Sequence, residues 1–274
     1  SYEDLDKNRD GKIDSITVIY KNTTQNIVIN RSDPLWNYKD YADYVEINLG
    51  DGRMLQSQYY VQVINNYSTL YMANNDQKPI VSLKSPIHEM GHIFGLLDLY
   101  NSSGQTPVYF MSAMANAISP VPQGLSIKEK EALGWTDDST LKTITEPGEY
   151  KVKLSGTATG TDDCIGYKAG IPELNRTLYL EYRNFSTDGS KYDKSEKQLT
   201  NSETSNIKSG LVCYLAQPDI RFPSNLNGKP GNWALEVMGG TQSTKSDAAL
   251  GLNDSLQVTD KLKVTVAAIE GEVL

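Results

Sequence analysis

The chain contains two histidines, His88 and His92, and they stand four residues apart. The local sequence is Ser85-Pro86-Ile87-His88-Glu89-Met90-Gly91-His92. Ser85 suits a helix N-cap and Pro86 the first helical position. The pattern predicts a helix that starts at Pro86 and continues over 87–97, weakened near its end by Gly95. On a helix, side chains four residues apart leave the same face one turn apart. Two imidazoles placed this way can reach one metal ion. Glu89 lies between them and points in a neighbouring direction, towards a metal-bound water rather than the metal. Zinc lowers the pKa of such a water, and a carboxylate at hydrogen-bond distance can take its proton. The spacing therefore puts both histidines on one helix face and suggests one kind of chemistry.

The pattern continues to His92-Ile93-Phe94-Gly95-Leu96-Leu97-Asp98. A glycine three residues after the second histidine lets the chain leave the helix in a tight turn, and a third ligand can then come from Asp98. Aspartate is an acceptable zinc ligand. In the extended zinc motif of metzincins this place holds a third histidine, and a methionine turn follows. Glu129 or Glu131, on the next expected helix, is the rival third ligand. Downstream, Val108-Tyr109-Phe110-Met111-Ser112-Ala113-Met114 offers two methionines for a turn beneath the site; Met114 gives the better register and Met111 is the alternative. Tyr100 and Tyr109 are candidates to hydrogen-bond a tetrahedral intermediate.

A second metal pattern opens the chain. Asp6, Asn8, Asp10, Lys12 and Asp14 alternate around Gly11, as in the first half of an EF-hand-type loop. Lys12 would offer its carbonyl, and Asp4 could join. The twelfth loop place is Thr17, without the bidentate glutamate, so a modest-affinity structural Ca2+ site is expected.

The 274 residues suffice for one large or two ordinary domains. Net charge is -8, with no basic patch, which argues against nucleic acid as a partner. No apolar run is long enough to span a membrane. Runs rich in Val, Ile and Tyr at 15–20, 26–30, 44–49 and 59–64 read as strands. A short helix is expected at 126–133. Beyond it the texture changes to alternating segments at 150–154, 177–182, 211–215, 234–238 and 262–267. These suggest an α+β organisation: a mixed sheet with an active-site helix over 1–136, then an all-β sandwich-like domain over 137–274. Cys164 and Cys213 read equally as two buried thiols or one disulfide.

Six stretches resemble the immune inhibitor A-type secreted bacterial metallopeptidases, a metzincin-like group. They are HEMGHIFGLLDLY at 88–100, PVYFMSAMAN at 107–116 and LSIKEKEALGW at 125–135, together with the opening DLDKNRDGKIDSITVIY and the later YLEYRN and SGLVCYL. The resemblance implies a secreted zinc endopeptidase acting on proteins or peptides, with His88, His92 and Asp98 on zinc and Glu89 as general base. Members carry more chain ahead of the acidic loop. Either this chain starts inside the catalytic domain, its signal segment removed, or that domain's upper part is small. A monomer is expected. The competing expectation is an adhesion or glycan- or protein-binding module with a vestigial zinc site.

Overall fold

Strand-forming runs dominate the chain, and they become short strands in mixed sheets. The computed structural model describes residue 9 and residues 16–20, 38–40, 45–48, 54–57, 60–64, 84–115, 124–154, 164–185, 207–218, 228–229, 232–243 and 245–270. The strand expected at 26–30 and the ligands of the calcium loop lie outside the described residues. Packing divides the chain after Phe94 into units of residues 1–94 and 95–274. The change of texture near 136 falls within the second unit.

In the first unit, β1 (Ile16–Tyr20), β2 (Tyr38–Asp40) and β5 (Tyr60–Ile64) form a sheet in the order β1-β5-β2. β1 runs parallel to β5, and β2 antiparallel to it. Between them, β3 (Val45–Asn48) and β4 (Met54–Ser57) make an antiparallel pair. A parallel neighbour needs a long crossover, and the chain between β1 and β5 supplies one. Helix α1 (Lys84–Ile93) packs against β2 and β5. It ends earlier than the 87–97 pattern suggests. Gly95 adopts φ +88°, a left-handed conformation that glycine takes without steric cost and that terminates a helix.

The second unit begins with a 3-10 turn at Tyr109–Met111 and helix α2 (Ile127–Ala132). Ser126 caps α2 in a complete capping box with Glu129, so the expected helix at 126–133 forms for a local reason. Strands β6 (Leu141–Thr143), β7 (Gly166–Ile171), β8 (Arg176–Arg183) and β9 (Gly210–Ala216) follow. β10 (Gly228–Lys229) pairs with β11 (Asn232–Trp233), and β12 (Leu235–Val237) returns to the main sheet. That sheet has the order β12-β9-β8-β7-β6, antiparallel except where β6 meets β7. β13 (Ser255–Thr259) and β14 (Leu262–Thr265) form a hairpin.

Both faces of the main sheet are covered. Every residue of β9 is buried, which is why Gly210-Leu-Val-Cys-Tyr-Leu-Ala216 is apolar without alternation. The period of two still sorts its side chains. Leu211, Cys213 and Leu215 join Leu178, Leu180 and Tyr182 on one face, beneath Leu256, Val258, Leu262 and Val264 of the hairpin. Val212, Tyr214 and Ala216 join Tyr179 on the other, against Leu96, Leu97, Leu99, Met111, Met114 and Ile127. The hairpin covers one face of this sheet, and a helix and an irregular segment cover the other.

Among the described residues the protein is therefore mostly β, with mixed sheets and few helices. None of its described helices is long and apolar enough to cross a membrane. Cys164 and Cys213 are free and buried.

Candidate metal centre

Helix α1 carries His88 and His92 one turn apart. Their rings meet edge to face, with centroids 4.9 Å apart and planes at 88°. His88 is buried and His92 half-buried. The Phe94 amide still donates to the Met90 carbonyl at 3.3 Å, and Gly95 then turns the chain. Asp98, half-buried, returns to the same place. One ligand atom from each of His88, His92 and Asp98 lies within 4.8 Å of the other two. Tetrahedral bonds of about 2.0–2.1 Å hold donors roughly 3.3 Å apart, so small side-chain rotations would close the group on an ion. Two imidazoles and one carboxylate form a donor set that suits zinc and leaves a fourth position open. Glu89 lies on α1 between the histidines; its side chain is outside the described residues.

The chain beyond Asp98 is tied down at once. The Leu99 amide donates to the Met114 carbonyl at 2.9 Å, and Thr106 Oγ1 donates to the Leu99 carbonyl at 2.6 Å. Between them, Asn101 Oδ1 accepts the amides of Ser103 and Gln105 and closes a small loop. Met111 and Met114 are both fully buried in one apolar cluster with Leu97 and Leu99. Met114 is the one whose backbone meets the residue after Asp98. Arg183 reaches the Met111 carbonyl with Nη1, which also donates to Tyr214 Oη at 3.1 Å.

The rival ligands are engaged elsewhere. Glu129 is fully buried: Oε1 accepts from Ser112 Oγ at 2.7 Å, and Oε2 from the Ser126 amide and hydroxyl at 2.7 and 2.6 Å. Burial pushes its carboxyl above the usual range, opposed by these hydrogen bonds and the charge of Arg183. Glu131 takes hydrogen bonds from Lys128 and Lys168 at 2.8 Å and from Tyr179 Oη at 2.7 Å. Burial raises its pKa, but the three partners outweigh burial and hold it at about 2. Among the described residues, His88, His92 and Asp98 are the one group of three such donors with ligand atoms within 4.8 Å of one another.

Sequence reasoning overlooked the polar layer under the methionine segment. Glu181 and Arg183 are almost wholly buried on β8. Glu181 accepts from Lys130 at 2.9 Å, the Ile127 amide at 3.1 Å and Tyr214 Oη at 3.2 Å. Charges alternating with apolar residues in Leu180-Glu181-Tyr182-Arg183 read as a solvent face, and only the packing of α2 reveals otherwise. Asp6, Asn8, Asp10, Lys12 and Asp14 fall outside the described residues; Arg9, within that loop, is exposed and has φ +59°. Comparisons with protein-family models, curated proteins and solved structures find no match to this chain.

Proposed function

We propose that this chain is a secreted zinc-dependent endopeptidase that hydrolyses peptide bonds in proteins or peptides. The convergence of His88, His92 and Asp98 donors within 4.8 Å, at the spacing of the zinc-peptidase motif, carries this reading. These three residues would hold the ion. When bound, zinc supplies a Lewis acid that acidifies a water and polarises the scissile carbonyl. Glu89 accepts the proton of the attacking water and returns it to the leaving amine. The surrounding organisation belongs to the same reading: a metzincin-like catalytic domain over 1–136, Met114 (or Met111) beneath the histidines, a β-sandwich-like domain over 137–274 and a structural Ca2+ at Asp6–Asp14.

The test is zinc content of the purified protein together with casein cleavage before and after chelation. Chelator-sensitive cleavage, restored by Zn2+, is expected. Glu89→Ala should keep zinc and lose about 10²–10⁴-fold in rate, the span typical of a general base. Full activity in that variant would sink the assignment. Zinc uptake without cleavage of any generic substrate would favour the binding-module reading.

A further inference from the structure

The bond network beneath the methionine segment extends to Leu99, the residue after Asp98. Glu129 Oε1 accepts from Ser112 Oγ at 2.7 Å, and Ser112 Oγ accepts the Met114 amide at 3.0 Å. The Met114 carbonyl accepts the Leu99 amide at 2.9 Å. Leu99 directly follows Asp98, and its own carbonyl is held by Thr106 Oγ1. Ser112, Glu129, Met114 and Leu99 are all buried to within about one per cent of full exclusion from solvent. The far end is anchored twice: Ser126 holds the second oxygen of Glu129, and Arg183 holds the Met111 carbonyl. A buried carboxylate is costly unless its oxygens are satisfied. The capping box of α2 needs only Ser126 and Glu129. The extra bond to Ser112 couples the cap to the segment that Leu99 rests on.

We infer that Ser112 and Glu129 are positioning residues for the zinc ligand Asp98, acting through the backbone of Met114 and Leu99. The inference rests on the zinc reading above. Asp98 lies beyond the end of α1, unlike His88 and His92. The backbone of the next residue, Leu99, is hydrogen-bonded on both sides into a buried layer. Outer partners that orient metal ligands commonly account for about 10–100-fold in metal affinity.

The test measures Zn2+ affinity by competition with a chromogenic chelator for Ser112→Ala and Glu129→Gln, each also in an Asp98→Asn background. Leu178→Ala, in the apolar cluster on the opposite face of the sheet, is the control for a general loss of stability. Circular dichroism checks folding, and amide hydrogen exchange at Leu99 is followed in the metal-free proteins. Ser112→Ala and Glu129→Gln should lower affinity about tenfold and speed Leu99 exchange, with the affinity loss vanishing in the Asp98→Asn background. Leu178→Ala should leave affinity unchanged. Unaltered affinity in both folded variants overturns the inference, as does an equal loss in the Asp98→Asn background or in Leu178→Ala. If Ser112→Ala fails to fold, Glu129→Gln decides alone. Zinc bound by the wild type but insensitive to these changes removes the positioning role and leaves the proposed function standing. A wild type that takes up no zinc removes both.

Discussion

The amide of Leu99 donates to the carbonyl of Met114 at 2.9 Å. This bond joins the residue after Asp98 to the segment that supplies the buried methionines. Two stretches that the sequence presents as separate motifs are thus one structural unit around a candidate ligand. Its consequences can be measured.

Asp98→Ala removes the carboxylate from the donor group and leaves two imidazoles. Zinc affinity should fall by more than the roughly 10–100-fold expected for an outer partner. Metal analysis after dialysis reads the result. Unchanged zinc content would mean that another residue completes the site.

Gly166 lies beneath α2 in β7. A Cβ there would sit 2.9 Å from Ile127 Cγ1 and 3.0 Å from the Leu180 carbonyl. Gly166→Ala should cost about 1–3 kcal/mol, because the helix must lift from the sheet. Gly170, in the same strand, has no atom within 4 Å of the equivalent position. Gly170→Ala should stay within about 0.5 kcal/mol of wild type. Urea unfolding of the two variants gives the comparison; equal losses would contradict the close approach at Ile127.

Stability should weaken in acid between about pH 4.5 and 2. Glu131 is held at about 2 against an ordinary 4.5, so its ionised form is favoured by folding. That contribution is complete above pH 4.5 and is lost as pH falls through about 2. Asp137 and Asp247, also held at about 2, share the lower part of this window. Glu129 has the opposite sign: its raised pKa favours folding when the group is protonated, and the benefit fades as pH rises. Glu131→Gln should flatten, without abolishing, the acid limb of a plot of urea midpoint against pH. An unchanged limb would show that Lys128, Lys168 and Tyr179 do not hold the carboxylate in solution.

Cys213 is buried in β9, and burial pushes its thiol up to about 12. The thiolate is the reactive form. Iodoacetamide at pH 8 should leave Cys213 unmodified in the native protein and label it fully in urea, as read by peptide mass spectrometry. Labelling of the native protein at a rate near that of an exposed cysteine would contradict the packing of this strand.

Local chemistry explains which elements were legible beforehand. β1, β8 and β9 announce themselves as β-branched and aromatic runs, and α2 by Ser126 and Glu129 of its capping box. β7 was not legible: Gly166-Tyr-Lys-Ala-Gly-Ile171 has glycines at two of six places and mixed polarity. Gly166 is there because Ile127 lies above it, a fact about a partner far away in the chain. The apolar pattern of α1 runs on past the helix, because Leu96 and Leu97 serve the core after the helix has ended.

The sequence by itself placed two donors on one helix face and offered Asp98, Glu129 and Glu131 for the third. His88 and His92 share a face because a helix repeats every 3.6 residues, and Gly95 frees the chain to bring Asp98 round. These are short-range consequences that any folded context would respect. Only the tertiary structure groups Asp98, and not the glutamates of α2, with the two histidines. Glu129 and Glu131 are withdrawn by Ser112, Ser126, Lys128, Lys168 and Tyr179, and three of these partners lie on other elements. Tertiary packing also decided that Glu181 and Arg183 are buried, where each charge needs partners from across the core. Spacing along the chain can bring donors to one ion; which carboxylates remain available depends on what packs against them.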